Sequence, residues 1–598
     1  MPHPDISVWA PAAATVEIVL GDGTSRQEMR RADGGWWSWT ADPAATSARL
    51  DYAFSLDGAH PVPDPRSAWQ PYGVHGPSRV FDTSRHEWRD AGWRGARDGR
   101  GALGGVLYEL HVGTFTPGGT LGSAIERLDH LVRLGVDVVE LMPVAAFGGT
   151  VGWGYDGVAP YAVHDPYGGP AALQAFVDAC HARGLGVCLD VVYNHLGPTG
   201  NYLAQFGPYF TEAHATPWGA AINLDGPESA VVRRWVIDNA LRWFREFHVD
   251  ALRLDAVHEL RDTSPRHILA ELSDEVAALS AEVGRPLELI AESDLNDPIM
   301  VVPTSAGGRG MDAQWDDDIH HALHVALTGE RQAYYADFAG RCEALPHGGP
   351  LAVLAKTLTE VFLHDGRLSS FRGAVWGRPV DRATTSGHRF LAYLQTHDQV
   401  GNRATGDRVG HTVSAGLQAA GAALYLLSPY TPMLFMGEEW RSSSPFRFFT
   451  SFDEQWLADA VREGRRVEFV THGWKPHEVP DPQDEATFEA SILDWGEACE
   501  GEHAAILGFY RRLIEIRRTE PDVGSGDLAD RRCSFDEDAR WFVMTRGSVQ
   551  VVANLADHEQ LVPGIAAGVE LLTSWSGSCA PEAPGLRLAA QDVAVVRG

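Results

Sequence analysis

Lysine is nearly absent from this chain: of 49 basic residues only Lys356 and Lys475 are lysines, a coding bias that leaves arginine to carry the positive charge. Basic residues are themselves outnumbered by 80 acidic ones, for a formal charge of −31. A polyanion of this size repels phosphate backbones and anionic lipid surfaces, so nucleic-acid and membrane partners are not expected. Cysteine is also scarce. Cys180, Cys188, Cys342, Cys499, Cys533 and Cys579 form no CxxC pair, which argues against a disulfide framework or structural zinc and fits a reducing cytoplasm. The opening MPHPDISVWA has neither a basic nor an apolar leader region, so secretion is not expected. No uncharged apolar run reaches the roughly 18 residues that a membrane span needs.

What is present is ordinary globular material, 598 residues with 44% hydrophobic content, enough for about three or four domains or for one large barrel with additions. Residues 1–95 alternate short strand-like runs (Val16–Leu20, Trp36–Trp39, Leu50–Leu56) with turn signals and predict a β-sandwich, immunoglobulin-like and carbohydrate-module-like. The basic, glycine-rich 96–105 segment reads as a linker. From Val106 the texture becomes alternating strand and helix. Strand-like runs at 106–115, 137–144, 185–195, 250–257, 287–293, 312–317, 389–398 and 432–439 are separated by helical stretches such as 121–134, 172–183 and 229–247. Eight such units predict an α/β fold, a (β/α)8 TIM barrel over 96–523, with a long insertion at about 196–228. The last 75 residues, 524–598, predict a small C-terminal β-domain.

Barrel chemistry sits where strands end, and polar residues gather at those ends here: Asp190, Asn194 and His195; Arg253, Asp255 and His258; Glu292; His397 and Asp398. The two-residue period of a strand puts Arg253 and Asp255 on one face. An arginine beside a buried carboxylate keeps it ionised, as a nucleophile requires. Glu292 closes the apolar run Leu287–Ala291, so its carboxyl is expected to be desolvated and to hold its proton, as a general acid requires. Two carboxyls with pKa values pushed apart suit cleavage of a glycosidic bond, and the retaining version requires them roughly 5–5.5 Å apart. Asp398 offers a third carboxylate for sugar hydroxyls. The uncharged substrate this implies suits a polyanionic enzyme.

DVVYNH (190–195), ALRLDAVH (251–258), AESDL (291–295) and LQTHDQ (394–399) resemble, in order and spacing, the four signature regions of the α-amylase family of glycoside hydrolases. The resemblance implies Asp255 as nucleophile, Glu292 as acid/base and Asp398 as transition-state stabiliser. Around the −1 sugar it implies Asp190, His195, Arg253, His258 and His397, with Tyr155 of WGYDGV stacking beneath. Segments over nearly the whole chain, among them LYELHVGTFTPGGT, WDDDIHHALH, YYADF, QTHDQVGNRA and PFRFFT, are similar to the trehalose-releasing group of that family, the maltooligosyltrehalose trehalohydrolases. That implies maltooligosyltrehalose and related α-glucans as substrates, a maltooligosyltrehalose synthase as pathway partner, and no cofactor. Trp218 (in TPWG), Phe371 and Arg372 (in SSFRG) match segments that line the leaving-group side. Glu259 and Thr396 depart from the usual pattern, where a small apolar residue and an asparagine are expected.

Each residue also has a structural reading. Asp190 and His195 could cap a strand, and one Arg253–Asp255 pair alone would be a buried ion pair; as a set at successive strand ends the functional reading prevails. Most aromatics of the insertion (Tyr202, Phe206, Tyr209, Phe210, Trp218) are expected to form its own core. Asp316–Asp318, read as strand, would alternate faces, so no metal site is expected there. Asn194 matches a calcium position of many α-amylases, without evident partner ligands. Glu438 and Glu439 could line the cleft or cap a helix. A glycogen branching or debranching enzyme is the nearest alternative, and a non-catalytic α-glucan-binding protein the one from another class.

Overall fold

The computed structural model describes residues 5–598 except 22, 41–49, 341, 346, 472–474, 476–478, 530, 567 and 583–584. Of the opening segment read for a leader, residues 1–4 lie outside the described residues. Eight strands close into a parallel barrel in simple sequence order: Leu107–Leu110, Val138–Leu141, Gly186–Val191, Ala251–Leu254, Glu288–Ala291, Ala313–Trp315, Phe390–Tyr393 and Thr431–Phe435. Seven of the eight predicted strand runs contain their barrel strand, the eighth strand starting one residue before its run, and each strand is shorter than its run. Beyond the final inward residue the chain turns to present polar side chains at the barrel mouth. The run at 106–115 becomes a strand followed by a helical turn, Val112–Phe115. The helix expected at 121–134 is two, Leu121–Ile125 and Leu128–Leu134. The second ends at Gly135, where φ is 101° and an added Cβ would lie 2.7 Å from Ile514.

The two-residue period writes the function of the barrel into its interior. Leu107, Val138, Cys188, Ala251, Ile290, Ala313, Leu391 and Met433, one from each strand, form a single buried cluster. Two residues further on stand Glu109, Glu140, Asp190, Arg253, Glu292, Trp315, Tyr393 and Phe435. Apolar packing below therefore gives way above to an acid or arginine on the first five strands and to an aromatic ring on the last three. The segment expected to be a linker is in fact the barrel floor. Ala96 and Ala102 join the inner cluster, and the Ala102 amide donates to Glu288 at 2.5 Å. Small residues are needed here because a Cβ on Gly101 would fall 2.5 Å from the Glu288 carboxylate.

Two sheets precede the barrel: Asp5–Trp9, Trp36–Thr40 and Arg30–Arg31; and Ser25–Glu28, Val16–Leu20, Asp51–Leu56 and Ser78–Arg79. They pack on the 196–228 insertion, whose hairpin Phe210–Thr216/Gly219–Ile222 was not expected. Phe206 meets Phe54 edge-on at 6.2 Å, and Tyr209 meets Trp9 at 5.5 Å. Those two rings are core, as expected for most of the insertion; Trp218 is half exposed. After the barrel come a five-stranded and a three-stranded antiparallel sheet. Among the described residues no helix is long and apolar enough to cross a membrane.

The final barrel helix, Gly501–Thr519, packs through an apolar face and carries one buried charged side chain near its end, Arg517. Arg517 donates to the carbonyls of Leu426 (2.8 Å), Ser428 (2.9 Å) and Tyr430 (2.6 Å), completing the C-terminus of helix Ala415–Leu426. Replacing it with methionine strands three buried acceptors and should cost about 3 kcal/mol. R517M should therefore lower the apparent melting temperature, scanned at fixed rate, by about 5 °C. An unchanged melting temperature would mean that these carbonyls find other donors.

Candidate active site

Arg253 points into the barrel from the fourth strand and is completely buried. Its Nη1 donates to both oxygens of Asp190 (3.0 and 2.8 Å) and to Asp255 Oδ1 (2.8 Å), while Nη2 lies 3.7 Å from Glu292 Oε2. Its guanidinium carbon sits 4.3 Å over the Trp315 ring. Burial opposes the charge, but Asp190, Tyr155, Asp255 and Glu292 together raise its pKa well above the ordinary value. One permanent cation thus collects three carboxylates from three neighbouring strands, and the expected pairing of Arg253 with Asp255 is present.

The surroundings of the two central carboxylates differ. Asp255 accepts from Asn194 Nδ2 at 2.9 Å as well as from Arg253, so its carboxylate has donors on both oxygens. Asn194 in turn bonds the His195 ring, so it serves as an orienting amide. Glu292 accepts the Ala256 amide at 2.6 Å. That amide is aimed by a left-handed turn, with φ 39° at Ala256, unusual for a residue with a side chain. Burial, reinforced by Asp255, Asp398 and Asp317 against the pull of Arg253, pushes the Glu292 carboxyl up to about 8. Burial likewise lifts Asp190 to about 6 despite Arg253. The desolvation expected for Glu292 is present.

A second chain of contacts crosses the barrel mouth. The Tyr155 hydroxyl donates to Asp190 at 2.6 Å and lies 2.8 Å from His397 Nε2, with the two rings stacked at 5.1 Å. His397 Nδ1 is 2.5 Å from Glu109 Oε1, and its amide donates to Glu109 Oε2 at 3.0 Å. Burial disfavours the imidazolium, yet Asp398 and Glu109 raise the His397 pKa to about 9. Asp398 lies 3.5 Å from His397 Nε2 and keeps 40% of its side chain exposed, facing the opening. Thr396, the departure from asparagine, caps helix His397–Gly401, accepting from the Asp398 amide at 3.2 Å. Glu259, the other departure, is buried and pairs with Arg261 at 2.8 Å.

On the rim, Trp218 stacks on His195 at 4.5 Å and is half exposed. Phe371 is exposed, and Arg372 pairs with Asp294 at 3.1 Å. His258 Nε2 stands 3.8 Å from the same Asp294. The arrangement therefore gathers Asp190, Arg253, Asp255, Glu292, Tyr155 and His397 into one contact network, with Asp398 at its edge. His195 and Trp218 join it through Asn194, whereas His258 and Arg372 meet at Asp294.

Several residues were missed. Glu109 sits inside the apolar run VLYELHV, where an isolated inward acid was the signal. Asp317 accepts from Tyr393 (2.6 Å) and Gln399 (3.1 Å) beside the site. Its segment is not strand, as expected, but the first turn of helix Asp317–Thr328, where acids complement the helix dipole. Asp318 accepts from Asn296 and the Leu363 amide. Among the described residues no group of three or more acids, histidines or cysteines is arranged to hold a metal ion. Glu438 and Glu439 do not line the cleft. They are buried against Tyr425 and Tyr510, and against Tyr108 and His130.

Residues 77–212 match the alpha amylase catalytic domain, and 526–595 match a domain of unknown function, DUF3459. The chain is 52% identical over 594 residues to the malto-oligosyltrehalose trehalohydrolase of Arthrobacter ramosus, covering 99% of each. It is 51% identical over 557 residues to that of Rhizobium sp. (strain M-11), covering 92% of this chain and 90% of the relative. A 1.4 Å crystal structure from Salmonella typhimurium, described as an alpha amylase, matches with a TM-score of 0.88 at 36% identity, over 99% of this chain and 97% of that one. With identity of this level along nearly its entire length, the chain belongs to the malto-oligosyltrehalose trehalohydrolase family of α-amylase-type glycoside hydrolases.

Proposed function

We propose that this enzyme hydrolyses the α-1,4-glucosidic bond next to the terminal α,α-trehalose unit of maltooligosyltrehalose, releasing trehalose with retention at the cleaved carbon. The observation that carries the mechanism is the convergence of Asp255 and Glu292 on Arg253 in unlike surroundings. Asp255, paired and hydrogen-bonded as a carboxylate, attacks the anomeric carbon of the −1 glucose. Glu292, holding its proton in a desolvated pocket, gives it to the departing trehalose oxygen. The resulting Glu292 carboxylate then takes a proton from water, which cleaves the glycosyl ester on Asp255 and restores both groups. Asp398 holds sugar hydroxyls as positive charge develops at the anomeric carbon. Tyr155 supports the sugar from below, and His397, kept cationic by Glu109, fixes the Tyr155 hydroxyl. Asp190, His195, Arg253 and His258 complete the −1 surroundings, while Trp218, Phe371 and Arg372 face the trehalose unit.

The division into 1–95, 96–523 and 524–598 fits a catalytic barrel flanked by two β-domains, the last covering barrel helices. A cytoplasmic location and supply of substrate by a maltooligosyltrehalose synthase fit the sparse unpaired cysteines and the non-reducing end group that must first be made.

Incubation with maltooligosyltrehalose should yield free trehalose, and proton NMR should detect the new reducing end first as its α-anomer. A digest without free trehalose would sink the assignment. D255A and E292Q should each lose at least about a thousandfold in kcat. E292Q offered α-maltotriosyl fluoride, whose leaving group needs no proton, should accumulate a glycosyl-enzyme on Asp255 visible by mass spectrometry; a label elsewhere would reassign the nucleophile. Because the proposed acid works only while protonated, kcat/KM should fall as pH rises through about 8, the value set at Glu292. A basic limb well below neutrality would assign the proton donor to another group.

A further inference from the structure

The strand end that carries Glu292 continues as Ser293-Asp294, and Asp294 is where the barrel meets a distant hairpin. That hairpin pairs Arg367–Ser369 with Ala374–Trp376 and carries Phe371 and Arg372 at its tip. Its base is rigid: a Cβ on Gly377 would lie 1.9 Å from the His364 carbonyl, and the Arg378 amide donates to Asn296 O at 2.9 Å. The Ser370 amide is held by Asp337 at 2.8 Å. Between base and tip, Asp294 accepts three hydrogen bonds from the hairpin. Its carbonyl accepts Trp376 Nε1 at 2.7 Å and Arg372 Nη2 at 3.4 Å, and its carboxylate accepts the same Nη2 at 3.1 Å. The guanidinium lies 4.7 Å over the Trp376 ring. On its other side, Asp294 Oδ1 stands 3.8 Å from His258 Nε2.

Three contacts, the carboxylate, the carbonyl and the indole face, thus define the plane of the Arg372 guanidinium. Only Nη2 is used; Nε and Nη1 have no hydrogen-bond partner among the described residues, and remain as donors of fixed direction. A free arginine would lose rotamer entropy on meeting a sugar, whereas one already held loses little. We propose that Asp294 is the positioning residue that sets selectivity for the trehalose unit, holding Arg372 so that its remaining N–H groups meet hydroxyls of the leaving disaccharide. This rests on the trehalose-releasing activity proposed above. Linkage to the Glu292 strand end keeps the hydroxyl-reading donors in register with the group that protonates the leaving oxygen. Arg372 without Asp294 would swing with the exposed hairpin tip.

The test compares maltooligosyltrehalose with maltohexaose as substrates for the wild type, D294A, D294N, R372A and D294A/R372A. In D294A, KM for maltooligosyltrehalose should rise about tenfold with kcat changed less than about threefold, and the ratio of kcat/KM values for the two substrates should fall about tenfold. R372A should fall similarly, and the double variant no further, because both substitutions remove one interaction. D294N, isosteric and still an acceptor, should lie between and carries the test if D294A melts early. An unmoved ratio, losses that multiply in the double variant, or an equal drop of kcat on both substrates would each overturn the role of Asp294. A wild type that releases no trehalose would remove the functional reading and this one together; trehalose release with an unmoved ratio removes only this one.

Discussion

A guanidinium with no solvent contact is costly unless its charge is answered on the spot, and Arg253 is answered by Asp190, Asp255 and Glu292 at once. The site follows from that requirement. Two of the acids are drawn into hydrogen bonds on a fixed cation, while the third stands farther away at 3.7 Å and burial pushes its carboxyl up to about 8. Removal of the cation would leave several carboxylates crowded in a low-dielectric space, where like charges force protonation. In the proposed mechanism, nucleophile and acid thus stand at different distances from one arginine. The same cation lies against the Trp315 ring, so the aromatic wall of the barrel and its charge balance are one construction.

The barrel makes this arrangement affordable by separating its layers. Apolar side chains at the first inward position of every strand carry the packing, and the next inward position is left for acids, an arginine and aromatics. A buried polar layer of this kind would destabilise a sheet standing alone. Here a closed parallel ladder below, a floor of Ala96 and Ala102, and helices pinned by Arg517 and by Glu438 and Glu439 hold the frame. The acid at Glu109 shows the economy of the layer: a single side chain fixes His397 through both its ring and its amide. Through His397 it reaches Tyr155 and Asp190 on the opposite side of the mouth.

Much of this was legible beforehand for a simple reason. Strand periodicity and residue chemistry are local, so the eight strand runs, the shared face of Arg253 and Asp255 and the desolvated end of the Leu287–Ala291 run could be read directly. The misreadings occurred where local pattern is ambiguous. The 96–105 segment has a linker's composition because small residues are what fit under a barrel, and WDDDIHH has the acids of a helix start, which a strand reading cannot accommodate. Thr396 looked like a defect in a motif and is a helix cap.

The chain order by itself determined the barrel, its flanking β-regions and the carboxylates on offer, since these depend on alternation and on residue type within a few positions. Only the tertiary structure decided which groups meet. Glu109 lies 288 positions from His397, and Asp294 lies 78 positions from Arg372. Nothing in either neighbourhood encodes the other, because a contact of that range exists only once the barrel has closed and brought strand ends into one ring.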